Sequence, residues 1–340
     1  MRAVKAVELG LVAGLVLTRT ALRAATGGLA GPASRTGPVI PVTRGRGQSR
    51  TVTADDGVEL HAEVFGDPAA PVTVVLCHGY ALSSASWCFQ IAELARHARV
   101  VTWDQRGHGR SQRGAAAHAT VDQLGRDLRA VLDQTTPHGP VVLAGHSMGG
   151  MTIMALAEQE PELFGTRVAA VALLATSAEP VLGGLGLPRH GMRALHWVTP
   201  WALALLQRAT VLAGPLRELT GAVVPRHAFA SDVPPHVAEF LVEQIGQTPL
   251  DVLADFFPQF RVHDKTAALA ALTRVDCLVL AGSHDVVTPP ENSEAIARAV
   301  PGADLVVLPD AGHAFPLEHP ELVNAHLVTL LRRQSHRRTA

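Results

Sequence analysis

Cysteine is scarce in this chain, and so are charge imbalance, metal-ligand motifs and long apolar runs. Three cysteines in 340 residues are an odd count without a CxxC spacing, which argues against a disulfide framework and a cysteine zinc site. Cys77 and Cys277 lie inside apolar runs that read as buried strands, so reduced structural thiols are expected. Seventeen histidines invite a metal reading, yet there is no HExxH and no Cys/His ligand spacing, so neither metal nor cofactor is expected. Twenty-nine basic residues stand against thirty acidic ones, a formal charge of −1. Without a basic stripe interleaved with aromatics, no nucleic-acid partner is expected. No repeat of solenoid length is visible.

What is present is enough apolar material for a sizeable core. Hydrophobic residues make up 47% and charged residues 17%, which excludes a disordered chain. The length suits one α/β domain carrying an insertion. At the N-terminus, Arg2 and Lys5 precede Leu9-Gly-Leu-Val-Ala-Gly-Leu-Val-Leu17, bracketed by Glu8 and Arg19. This run is shorter than the roughly 20 residues of a spanning helix. A signal-like leader, a membrane-surface helix and a helix packed on the protein all fit it. The ranking adopted is a cytoplasmic protein, with membrane association through residues 1–25, ahead of an exported one. Residues 26–49, rich in Gly, Pro and Arg, read as a linker.

Beyond the linker, Val58 to Phe65 alternates like a half-buried strand, and Val72 to Cys77 is a continuous β-branched run. Short apolar runs recur at Val100–Trp103, Val141–Ala144, Val168–Leu174, Cys277–Ala281 and Leu305–Leu308. Helix-compatible stretches such as Val121–Leu132 and Ser293–Ala299 separate most of them. Strands alternating with helices predict an α/β fold, a mostly parallel central sheet flanked by helices on both faces. The alternation stops between residues 178 and 262, where nine prolines punctuate short helical stretches. This segment is expected to be an inserted helical cap, dividing the core into 50–177 and 263–335. Seven of the chain's fourteen aromatic residues fall in it. Trp197, Trp201, Phe256 and Phe257 are candidates for the wall of an apolar substrate pocket, against the alternative that they hold the lobe together.

Gly145-His-Ser147-Met-Gly149-Gly follows one buried run and precedes a helix-compatible stretch starting near Met151. A serine on a strand-to-helix turn is strained and exposed above the sheet, and small residues two before and two after let the backbone pass. Free N–H groups at the helix start favour developing negative charge. A serine hydroxyl needs a base, and the base needs an orienting acid. Asp285 follows the run Cys277–Ala281, and His313 follows Leu305–Leu308, in the chain order Ser, Asp, His. Asp310 competes for the acid role because it lies three residues from His313; the strand-end position favours Asp285. His78-Gly-Tyr80 follows the run ending at Cys77 and fits a loop whose backbone N–H, at Tyr80, joins that of Met148 as an oxyanion hole. His78 itself reads as a structural hydrogen-bonding residue.

Leu76-Cys-His-Gly-Tyr80, Trp103-Asp-Gln-Arg-Gly-His-Gly-Arg-Ser111, Gly145-His-Ser-Met-Gly-Gly150, Ala281-Gly-Ser-His-Asp285 and Ala311-Gly-His313 together resemble the α/β-hydrolase superfamily. The likeness covers about residues 50–178 and 263–333 and is similar to bacterial esterases, monoacylglycerol-lipase-like enzymes and cofactor-free haloperoxidase relatives. It implies that Ser147, Asp285 and His313 form a catalytic triad and that Asp104 and Arg106 build a structural turn. It further implies cleavage of a small apolar ester or thioester. Epoxide hydrolases and haloalkane dehalogenases on this fold use an aspartate where Ser147 stands. Carbon–carbon bond hydrolases and cofactor-free dioxygenases keep the same layout and stay open. Some relatives of this fold bind ligand without catalysis after losing the histidine; with His313 present, a non-enzymatic ligand-binding member is the minor alternative.

Overall fold

The computed structural model describes residues 47–136, 139–181 and 224–339, except the side chains of 337–339. Its strands are β1 (Gln48–Thr53), β2 (Glu59–Phe65), β3 (Thr73–Cys77), β4 (Arg99–Trp103), β5 (Val141–His146), β6 (Val168–Leu174), β7 (Asp276–Gly282) and β8 (Asp304–Leu308). They form one sheet in the order β1-β2-β4-β3-β5-β6-β7-β8. Strands β3 to β8 run parallel, and β2 pairs antiparallel with β1 and β4.

Its helices are α1 (Cys88–Leu94), α2 (Val121–Thr135), α3 (Met148–Gln159), α4 (Pro235–Gln247), α5 (Leu250–Phe256), α6 (Gln259–Val262), α7 (Leu269–Leu272), α8 (Pro290–Ala299), α9 (Phe315–Glu318) and α10 (Pro320–Thr339). Successive strand residues point to opposite faces, so each central strand feeds two cores. Val75, Cys77, Leu143, Val171 and Val279 pack with Leu128 of α2, Ile153 of α3 and Ile296 of α8. Val74, Leu76, Ala144, Leu174 and Leu280 pack with Ile91 of α1 and Leu327 of α10. Burial on both faces is why these strands read as unbroken apolar runs.

The expected linker overruns the first strand, because β1 starts at Gln48. Only Val52 of Gln-Ser-Arg-Thr-Val-Thr is buried, so this edge strand is held by backbone pairing to β2 and leaves no apolar alternation to read. Helix α3 begins immediately after Ser147, three residues before the expected Met151, and α10 continues past residue 335. The described residues of 178–262 contain no strand, and α4, α5 and α6 account for much of them. The chain leaves and regains the core side by side. Val181 N–H donates to Phe260 O at 2.9 Å and Lys265 N–H to Ala178 O at 2.7 Å. All three cysteines are buried free thiols, and burial pushes each of them up to about 12.

Asp104 and Arg106 brace the loop after β4. Asp104 accepts from Ser84 N–H at 2.7 Å and Arg110 N–H at 3.0 Å. Arg106 is 2% exposed and grips two carboxylates. Its Nε and Nη2 donate to Asp127 of α2, both at 2.6 Å, and Nη1 and Nη2 to Asp56 of the β1–β2 turn at 2.8 and 3.1 Å. Replacing one partner of a buried pair strands the other charge. Arg106→Met, which keeps most of the volume, is therefore expected to destabilise the fold by about 3–5 kcal/mol, measured as a lowered urea midpoint. An unchanged midpoint would make the cluster dispensable.

Candidate active site

Ser147 occupies the single residue between β5 and α3, with φ 53° and ψ −117°. That left-handed value costs a residue with a Cβ about 1–2 kcal/mol. Close approach of the flanking backbone enforces it. A β-carbon at Gly145 would collide with Gly149 O, and one at Gly149 with Cys77 O of β3. Ser147 N–H donates to Leu174 O at 2.9 Å, and Thr176 Oγ1 donates to Ser147 O at 2.8 Å. The main chain is fixed on both sides while the hydroxyl stands clear.

Facing that hydroxyl is His313, in the loop after β8. Its Nε2 lies 3.1 Å from Ser147 Oγ, and its Nδ1 lies 2.8 Å from Asp285 Oδ2 in the loop after β7. An ionised carboxylate only accepts, so Nδ1 carries the proton and the Nε2 lone pair meets the serine O–H. Burial raises the Asp285 carboxyl, but its attraction for a protonated His313, the His313 hydrogen bond and those from the Thr288 N–H and hydroxyl outweigh it and hold the group below the ordinary carboxylate value. Thr288, which the sequence reading does not single out, donates its hydroxyl to Asp285 Oδ2 at 2.8 Å. Val287 and Thr288 N–H groups donate to Oδ1 at 2.8 and 2.9 Å. Asp310 is exposed, and it is its backbone carbonyl that accepts, from His319 Nε2 at 3.0 Å.

The loop after β3 passes beside the serine, since a β-carbon on Gly79 would stand 3.4 Å from Ser147 Cβ. Gly79 O accepts from His78 Nδ1 at 2.8 Å and from Leu82 N–H at 3.2 Å. In a planar trans peptide the carbonyl and the following N–H point opposite ways, so holding Gly79 O aims the Tyr80 N–H outward. Among the described residues neither the Tyr80 nor the Met148 N–H donates to a protein acceptor. His78 Nε2 accepts from Gln105 N–H at 2.9 Å, and Gln105 Nε2 donates to His78 O at 2.6 Å. His108 Nδ1 donates to Arg106 O at 3.0 Å, and its Nε2 accepts from Ala81 N–H at 3.3 Å. His78 is thus a hydrogen-bonded loop residue, one of a pair of buried neutral imidazoles.

Of the aromatic candidates, Phe256 is 2% exposed and packs with Met148, Leu124 and Val252 against the start of α3. Phe257 is half-buried and meets Phe260 edge-on at 6.5 Å. Trp197 and Trp201 lie outside the described residues, as do residues 1–25. No described helix is long and apolar enough to cross a membrane. Glu318 was not legible in sequence. Its Oε2 accepts from Gly312 N–H at 2.7 Å, and its Oε1 accepts from Ala230 N–H at 2.8 Å and the Ser231 N–H and hydroxyl at 2.5 and 2.8 Å. One carboxylate thereby joins the His313 loop to the insertion, 87 residues away in the chain at Ser231.

With a serine on a strand-to-helix turn, a histidine and an acid on successive strand ends and a mostly parallel eight-stranded sheet, the architecture is that of a hydrolase. The family model described as alpha/beta hydrolase fold matches residues 72–320, and the chain belongs to this family. Among its relatives, the candidate carbamate hydrolase RutD of Variovorax paradoxus (strain S110) is 32% identical over 281 residues, covering 81% of this chain and 97% of that protein. Among solved structures, a thermophilic esterase from Thermogutta terrifontis shares 29% identity with a TM-score of 0.67, over 85% of this chain and 99% of its own. The enol-lactonase from Burkholderia xenovorans LB400 shares 25% identity with a TM-score of 0.69, over 83% of this chain and 100% of its own.

Three buried histidines give the fold a defined acid response. Burial lowers His108 and His146 from 6.5 to about 3 and His263 to about 4. Below pH 6.5 the unfolded chain takes up these protons and the native one does not, so their stability contribution is whole above 6.5 and drains as pH falls toward 3–4. Each contributes a slope of at most about 1.4 kcal/mol per pH unit. Urea midpoints should fall steadily from pH 7 to pH 5; a flat profile would contradict the neutral-imidazole assignment.

Proposed function

We propose that this hydrolase cleaves a carboxylic ester or thioester through an acyl-enzyme, with Ser147 as nucleophile, His313 as general base and acid, and Asp285 as orienting acid. The observation that carries the reading is the unbroken line from Asp285 Oδ2 to His313 Nδ1 at 2.8 Å and from His313 Nε2 to Ser147 Oγ at 3.1 Å. His313 takes the Ser147 proton as Oγ adds to the acyl carbon, and the Asp285 carboxylate stabilises the imidazolium. The Tyr80 and Met148 N–H groups receive the oxyanion, each worth about 2.7–4 kcal/mol where such a donor has been removed. His313 then protonates the departing alkoxide or thiolate, and water attacks the acyl-enzyme by the same route in reverse.

The lactonase and carbamate-hydrolase names among the relatives describe the same addition and elimination at an acyl carbon, so they bear on the substrate more than on the mechanism. The helical insertion supplies the cover over the site. Phe256, Phe257, Trp197 and Trp201 are proposed as part of its apolar side, which suits a small-molecule ester or thioester with an apolar acyl group. Residues 1–25 are proposed as a membrane contact.

The test is hydrolysis of nitrophenyl esters and acyl thioesters of graded chain length, with a lactone and a carbamate beside them. Ser147→Ala and His313→Ala should each lower turnover by several orders of magnitude, with the double variant no worse than either, because the residues act as a unit. Near wild-type turnover in Ser147→Ala would remove the acyl-enzyme reading and favour a cofactor-free oxygenase. Asp285→Asn, which admits the wrong imidazole tautomer, should slow the reaction by about 10⁴, whereas Asp310→Asn should leave rates unchanged. The opposite ranking in steady-state kinetics would transfer the acid role.

A further inference from the structure

The loop that carries Tyr80 is fastened to the inserted helices by three side-chain hydrogen bonds. Tyr80 Oη donates to Leu253 O in α5 at 2.6 Å. Thr248 Oγ1, between α4 and α5, donates to Ala81 O at 3.1 Å. Ser83 Oγ donates to Gln244 Oε1 in α4 at 2.5 Å. The Tyr80 ring is half-buried, edge-on to Phe260 at 5.0 Å and to His108 at 6.2 Å. Leu253 O already accepts from Phe257 N–H at 3.0 Å, so the helix does not need the tyrosine hydroxyl to satisfy that carbonyl. Structural need on the helix side leaves the bond unexplained.

Its effect on the loop is specific. Ala81 holds φ 62°, a value its Cβ resists, and it is pinned through its N–H by His108 and through its carbonyl by Thr248. The Gly79–Tyr80 peptide is pinned on its carbonyl side by His78 and Leu82. The remaining freedom is a tilt of Tyr80 about its own Cα, and the rigid ring anchored on α5 removes it. Donors aimed at developing charge act fully only when held to within about 0.5 Å.

We infer that Tyr80 is a positioning residue through its side chain as well as an oxyanion donor through its backbone, so that seating of the insertion on the core sets the aim of the oxyanion N–H. This rests on the acyl-enzyme reading above. Thr248 acts through the same loop, by its bond to Ala81 O.

The experiment compares wild type, Tyr80→Phe, Thr248→Val and the double variant in the full chain. Each is measured for kcat and KM on one nitrophenyl ester, for inhibition by a trifluoromethyl ketone that forms a tetrahedral adduct with serine, and for urea midpoint. Tyr80→Phe should lower kcat about tenfold, a fraction of the 10²–10³ for losing a donor outright, with KM within twofold. Affinity for the ketone should fall by the same factor. Thr248→Val should shift both in the same direction by less, and the double variant should lose less than the product of the singles. Should Tyr80→Phe fail to fold, Thr248→Val decides alone. Unchanged kcat and ketone affinity in the folded variants, or a loss confined to KM, overturns the inference and leaves the latch a packing contact. Retained turnover in Ser147→Ala would instead overturn the acyl-enzyme reading, which separates the two failures.

Discussion

Ser147 holds φ 53° because a strand must become a helix within one residue while the hydroxyl stays outside both. Nothing local favours that torsion. The bond from Ser147 N–H to Leu174 O of the neighbouring strand and the close passage of Gly149 over Cys77 O impose it. Both contacts exist only because β3, β5 and β6 lie side by side in parallel register. The sheet therefore acts as a jig. It sets where the hydroxyl emerges, and the loops after β7 and β8 need only bring Asp285 and His313 to that point.

Strain of the same kind recurs along the rim. The four residues other than glycine with positive φ are, among those described, Ala81, Ser147, Ala175 and Asp310. They follow β3, β5, β6 and β8, all at the carboxyl edge of the parallel strands. Each costs about 1–2 kcal/mol in isolation, and the buried layers on both faces of the sheet hold them in place. The insertion adds a second restraint from above, through Glu318 to the His313 loop and through Tyr80 and Thr248 to the loop after β3.

The central strands are legible in sequence because burial on both faces leaves runs such as Val72 to Cys77, in which Thr73 is the one polar side chain and is itself buried. Strand β1 is not, because pairing at the sheet edge is made by backbone and asks little of Gln48, Ser49 or Arg50. Ser147, Asp285 and His313 stand out because each follows a recognisable run in the fixed order of this fold. Thr288 lies three residues from Asp285, yet threonine before proline reads as ordinary loop chemistry. Glu318 and the Tyr80 hydroxyl are illegible for a different reason. Their partners in the insertion lie 87 to 173 residues away, and no local pattern encodes a contact that only the closed fold creates.

The three thiols carry a practical consequence. Cys77 ends β3, Cys88 begins α1 and Cys277 lies in β7, and burial holds all of them protonated near neutral pH. The thiolate is the reactive species, so alkylating reagents meet an inert native protein. Cys77 and Cys277 react only when the sheet opens. The rate at which a maleimide dye labels Cys77 or Cys277 is then a clock for that opening.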